Sequence, residues 1–186
     1  MRIIRARVRL CFVATLISVG LVASGCGGRK DARTAGGGSG RSLAYPSGLS
    51  SASTPRDVAA VLIQALDADE EKTLMGLVAA KSEAAAVDAI YRQYGRTSDT
   101  APEEAAALAA AGWGATYAFF QPGATEVTDE RIKPAGADGV EIAVVTASGR
   151  NASTGEPRLL TIRLIREDGL WKVRAGLQAA DAPPAP

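Results

Sequence analysis

The sequence predicts an α+β domain, helices first and an antiparallel sheet after them, and three observations carry that reading. Apolar residues recur at helical spacing from Val58 onward. The apolar period changes from about 3.6 to 2 after Pro122-Gly123. A two-residue Asp168-Gly169 turn then sits between apolar runs, which is the strongest short-range hairpin signal a sequence offers.

Each element follows from local chemistry. Thr54 is placed to cap a helix, Pro55 suits its first position, and Asp57 completes an acidic form of the capping box. Val58, Val61, Leu62, Ala65 and Leu66 then share one buried face. Asp67-Ala68-Asp69-Glu70-Glu71 interrupts it and supplies acids to the start of a second helix, where Leu74, Leu77 and Val78 continue the apolar face. A third helix spans 82–94, with Ala86, Ala89, Ile90 and Tyr94 together and Gly95 to end it. Thr100-Ala101-Pro102-Glu103 repeats the cap logic before an Ala-rich helix. From Ala105 to Phe120 no residue is charged, so that helix is expected to be buried on most sides.

Residues 125–132 form the first strand, and Gly136-Ala137-Asp138-Gly139 marks a turn. Val140, Ile142 and Val144 alternate in the next strand, and a loop from Gly149 to Pro157 leads into Leu160, Ile162 and Leu164. Pairing about Asp168-Gly169 sets Leu164 opposite Val173, Ile162 opposite Ala175 and Leu160 opposite Leu177 on one face. Arg163 opposite Arg174 and Ile165 opposite Lys172 occupy the other. Arg166 opposite Trp171 breaks the polarity rule. Asn151-Ala152-Ser153 matches a glycosylation acceptor but reads as a plain loop.

The N-terminus carries the address. Arg2, Arg5, Arg7 and Arg9 precede an apolar stretch from Leu10 to Ala23, too short for a comfortable membrane span. It ends in Leu21-Val22-Ala23-Ser24-Gly25-Cys26. That arrangement resembles a bacterial lipoprotein signal with its lipobox, which implies cleavage before Cys26, acyl chains on that residue and an anchor in the cell envelope. Gly27, where an Asp would mark the inner membrane, favours the outer membrane if the cell has two. Ala23-Ser24-Gly25 also fits ordinary signal peptidase, and an uncleaved anchor is a third option. The expected organisation is a signal peptide at 1–25, a Gly/Ser-rich flexible tether at 26–53, the α+β domain at 54–178 and a disordered Ala/Pro tail at 179–186.

Composition narrows the function. The chain has 21 basic and 20 acidic residues, and without the four leader arginines 17 remain against 20, about −3. That balance speaks against nucleic acid as a partner. Histidine is absent, which removes Ser-His-Asp and Cys-His catalysis and histidine zinc sites. Cys11 leaves with the leader and Cys26 is taken by lipid, so no disulfide or cysteine metal site is expected. No catalytic, cofactor-binding or metal-ligating residue is assigned, and an enzyme is not expected.

Helices followed by a meander ending in Leu164-Ile165-Arg166-Glu167-Asp168-Gly169-Leu170-Trp171-Lys172-Val173 resemble the nuclear-transport-factor-two superfamily over residues 54–178. The resemblance implies helices packed on the concave face of a curved sheet, enclosing a cavity that Tyr91, Tyr94, Trp113, Tyr117, Phe119 and Phe120 would line. The chain departs from that pattern in reading as helix over 82–95, where many members insert a hairpin, and in lacking their catalytic Asp/His pairs. The leading expectation is a non-enzymatic, membrane-anchored binding or interaction module. Its partner would be a small apolar ligand in the cone, an envelope protein, or a second copy meeting it through the sheet. Arg163, Ile165, Lys172 and Arg174 form the expected interaction face. The alternative is an enzyme using a buried carboxylate on a small apolar substrate, with Asp129 or Glu141 in that role.

Overall fold

A computed structural model describes residues 43–135 and 139–182; the leader, Cys26, the first part of the tether, residues 136–138 of the expected turn and the last four residues lie outside them. The described residues belong to one of the two units into which the chain divides, Gly40–Pro186. Among them are four helices, α1 (Pro55–Asp67), α2 (Glu71–Leu77), α3 (Ala80–Gln93) and α4 (Pro102–Tyr117), followed by five strands. The strands are β1 (Glu126–Lys133), β2 (Ile142–Arg150), β3 (Pro157–Glu167), β4 (Leu170–Val173) and β5 (Gln178–Asp181). The α+β class and the helix-then-strand order agree with the sequence. No described helix is long and apolar enough to cross a membrane.

Helix α1 begins as its cap chemistry requires. The Thr54 hydroxyl accepts from the Asp57 amide at 3.2 Å, while the Asp57 carboxylate accepts from the Thr54 amide at 2.8 Å. Helix α4 starts differently from expectation. Its N-cap is Ala101, without a side-chain bond, because Thr100 is spent on Asp88 of α3. Those two bonds fasten the α3–α4 loop, and Gly95 at φ +67° releases α3 as predicted.

The sheet is an antiparallel meander in the order β1-β2-β3-β4, with β5 also pairing β3. One face packs on the helices through Ala143, Val145, Ala147, Leu160, Ile162, Leu164, Trp171 and Val173, all buried. In β2 it is the alternate set, Ala143, Val145 and Ala147, that points inward, with Ile142 and Val144 on the outer side. The strand is apolar at both parities, so periodicity did not choose between its faces. Asp168 and Gly169 both take positive φ, +53° and +77°, and set Leu164 opposite Val173 and Ile165 opposite Lys172 as expected.

Further from the turn the register changes. Leu160 faces Ala179, not Leu177, and Thr161 faces Gln178. Two residues are taken up between β4 and β5 at a bend containing Gly176, φ +85°. Strand β5 therefore reaches Asp181, so residues 179–181 are paired with β3 and do not belong to a loose tail.

The chain also joins the domain earlier than residue 54. Leu43, Tyr45 and Leu49 pack against the core, and the Tyr45 hydroxyl donates to the Trp171 carbonyl at 2.7 Å. This strap crosses α2 where Gly76 leaves room for the Ala44 carbonyl, and any side chain at 76 would collide with it. It also resolves the exception at Arg166. That guanidinium lies 5.4 Å from the Trp171 ring centre and donates to the Ser51 carbonyl at 2.8 Å and the Glu141 carboxylate at 3.3 Å. Packing on the core thus extends ahead of the expected start at 54 to at least Leu43, because Leu43, Tyr45 and Leu49 offer apolar surface that a Gly/Ser count conceals.

Candidate functional site

The six aromatic residues expected around one cavity occupy three different places. Trp113, Tyr117 and Phe120 are 1%, 5% and 2% exposed and belong to the core itself. Tyr117 and Phe120 stack with ring centres 5.3 Å apart, close enough to leave no gap between them. Tyr91 and Tyr94 stand exposed at the end of α3, and Phe119 is exposed just beyond α4. The stripe at i, i+4, i+7 is therefore packing that fills the space between helices and sheet.

Around that packing sits one polar anchor. The Tyr117 hydroxyl donates to Asp67 Oδ1 at 2.9 Å, and the Gly123 amide donates to the same oxygen at 3.1 Å. Burial, with Asp67 adding to it, pushes the Tyr117 phenol up to about 12. A recess of about 280 Å³ lies beside the pair, lined by Leu66, Asp69, Leu74 and Pro122 among others. Its chemistry is a carboxylate that already holds two donors, which orients the end of α4 against α1.

The expected interaction face is also divided. Arg163 is exposed on the outer side of β3, but Ile165 is buried. Lys172 is half-buried with its Nζ 5.9 Å from the Tyr45 ring centre, under the strap. Arg174 is turned to α3, where its Nε donates to Glu83 Oε1 at 3.1 Å. Only Arg163 of the four remains as an outward, uncommitted charge among the described residues. The strap takes Lys172 and α3 takes Arg174, and neither cover is visible in strand alternation.

The carboxylates expected for catalysis are each held in an ion pair. Asp129 is exposed and paired with Arg131 at 3.0 Å, and Glu141 pairs with Arg166 at 3.3 Å. The buried carboxylate is Glu167, which sequence reasoning missed. Its Oε2 accepts from the Ser82 amide at 3.0 Å and the Ser82 hydroxyl at 2.8 Å, so it caps α3 from the sheet. Lys81–Asp168 at 2.7 Å, Ala79 N–H to Val173 C=O at 2.9 Å and the Arg174–Glu83 pair pin the same helix start. No signal short of the tertiary fold announces this cluster.

Most of the large apolar side chains left exposed lie on or at the ends of α3 and α4, with Ile132 on β1. Ile90, Tyr91, Tyr94 and Arg96 border a shallow groove of about 460 Å³ at the end of α3. On α4, Leu108 is 63% exposed and Ala111, Gly112 and Ala115 are exposed as well, as is Phe119 just beyond it. The uncharged run from Ala105 to Phe120 is thus buried on one side only. Among the described residues no group of three or more acidic or cysteine side chains is placed to hold a metal.

Residues 48–102, the end of the strap through the first residue of α4, match the family described as Resuscitation-promoting factor Rpf1, C-terminal. No curated protein and no solved structure matches the chain.

Proposed function

We propose that the chain is an exported lipoprotein, anchored through Cys26, whose α+β domain is a non-enzymatic interaction module with a nuclear-transport-factor-two-like fold. The observation that carries this reading is the filled interior. Trp113, Tyr117 and Phe120 occupy the space an enclosed ligand would need, while apolar side chains of α3 and α4 are left at the surface. Recognition then falls to the outside of the domain rather than to a cone. The similarity of residues 48–102 to part of a resuscitation-promoting factor is in keeping with an exported bacterial protein. The apolar leader and the lipobox-like Leu21–Cys26 support the anchor.

The test has two parts. Labelling with a palmitate analogue is expected in the natural chain and lost in Cys26→Ala, and equal labelling would end the anchor. A photo-crosslinking residue at Tyr94 in the full chain is expected to give a discrete adduct in cells that depends on Cys26. No adduct from Tyr94 or from Arg163, together with a stoichiometric apolar molecule co-purifying with the chain, would favour an enclosed ligand instead.

A further inference from the structure

We infer that α4 is the contact face of an antiparallel homodimer; the inference rests on the interaction-module reading and names its partner as a second copy of this chain. After Glu103 and Glu104 in its first turn, α4 carries no charge on any side through Tyr117, and such a stretch is expected to be covered all round. Here the side opposite the core is bare. At about 100° per residue, Glu104, Leu108, Ala111, Gly112 and Ala115 fall on one face, Phe119 follows in the turn just beyond α4, and all six are exposed.

The order of these residues says what fits there. Around a two-fold axis near the middle of the helix, Gly112 meets Ala115 of the second copy, so the backbones approach closely. Leu108 then meets Phe119 of the second copy at either end, large apolar against large apolar. This is the self-complementarity that a two-fold contact demands, residue i on j and j on i.

Charge supplies an independent argument. One turn beyond Leu108 stands Glu104, exposed at the start of α4. In the antiparallel arrangement it arrives beside Phe119 of the second copy, whose ring centre lies 5.5 Å from the Arg158 guanidinium. Arg158 is poorly served within its own chain. Its Nε is buried without a hydrogen bond among the described residues, and its one carboxylate, Asp181, is 4.0 Å away. A carboxylate from the second copy would meet that guanidinium at both ends of the contact.

The experiment uses the full mature chain in detergent. Two differently tagged chains, Leu108→Cys and Phe119→Cys, are co-expressed and oxidised. A mixed 108–119 disulfide is expected, with neither homotypic product. Like positions would be separated by about 16 Å along the antiparallel helices, well beyond the ~7 Å Cα limit for a bridge. Homotypic products alone, or no bridge at all, would overturn the proposal. Sedimentation of the natural chain at about 100 µM should show a dimer, within reach of a contact at the small end of stable interfaces. Ala115→Glu should make it monomeric with an unchanged circular dichroism spectrum, because Ala115 is exposed in the single chain. A dimer that Ala115→Glu leaves intact would reject the α4 face. A natural chain that stays monomeric yet binds phosphatidylglycerol vesicles through Phe119 would replace the second copy with a lipid surface.

Discussion

Gly149 shows how little slack the interior has. A methyl group there would stand 2.7 Å from Thr125 Oγ1 and 2.9 Å from Phe120 Cδ1, so the backbone of β2 is pressed directly against the aromatic ring. Gly149→Ala is expected to lower stability by roughly 1–3 kcal/mol in urea denaturation, as overpacking does. The phenols give a second test at this scale. Burial pushes Tyr45 and Tyr117 up to about 12 from an ordinary 10.0, so the folded state holds those protons more tightly than the unfolded chain. Their contribution is fully present below pH 10 and is lost as the pH rises toward 12. Unfolding midpoints should therefore fall over that window, less steeply in Tyr45→Phe and Tyr117→Phe. Of the residues that matter, the Trp113–Tyr117–Phe120 stripe was legible from its spacing. Glu167 was not, because a carboxylate at a strand end has the same sequence signature whether it caps a helix or faces water.

Among the elements, α1 was specified almost entirely by its own residues. Thr54→Ala removes one half of a reciprocal cap and is expected to cost about 1 kcal/mol, measured as a shift in urea midpoint at constant slope. The strap is the opposite case. Short of Ser53 it looks like linker, yet it satisfies the Trp171 carbonyl while Ala79 satisfies that of Val173. These two contacts cover the free edge of β4, which an unpaired strand would otherwise offer to another chain. Removing residues 43–51 should speed hydrogen exchange in β4 and promote aggregation, whereas trimming residues 30–40 should do neither. Hairpin register was readable for four pairs around Asp168-Gly169 and then failed. The two residues absorbed at Gly176 change β5 without altering any apolar alternation.

The whole molecule is held by charge as well as by packing, and the acid limb of its stability reports this. Asp57 is held below the ordinary 3.8 by the Thr54 amide first, Asp88 by the Thr100 hydroxyl first, and Asp168 by the Lys81 ammonium first. Depressed carboxylates stabilise the fold above their unfolded value, and the gain is lost as pH falls through the folded one. Stability should be level from neutrality to about pH 5 and decline below about pH 4, with the Lys81–Asp168 part weakened by salt. At this scale the fold class and the order of elements were legible, since they follow from periodicity and turns. The candidate site was not, because which faces end up covered depends on α3 and the strap, both placed by long-range contacts. The early docking of the strap also sets a leash. Were Cys26 acylated as proposed, the 16 residues from 27 to 42 could span at most about 60 Å fully extended, which would set the reach of a domain that packs from Leu43 onward. A target met under that anchoring would have to come within that radius.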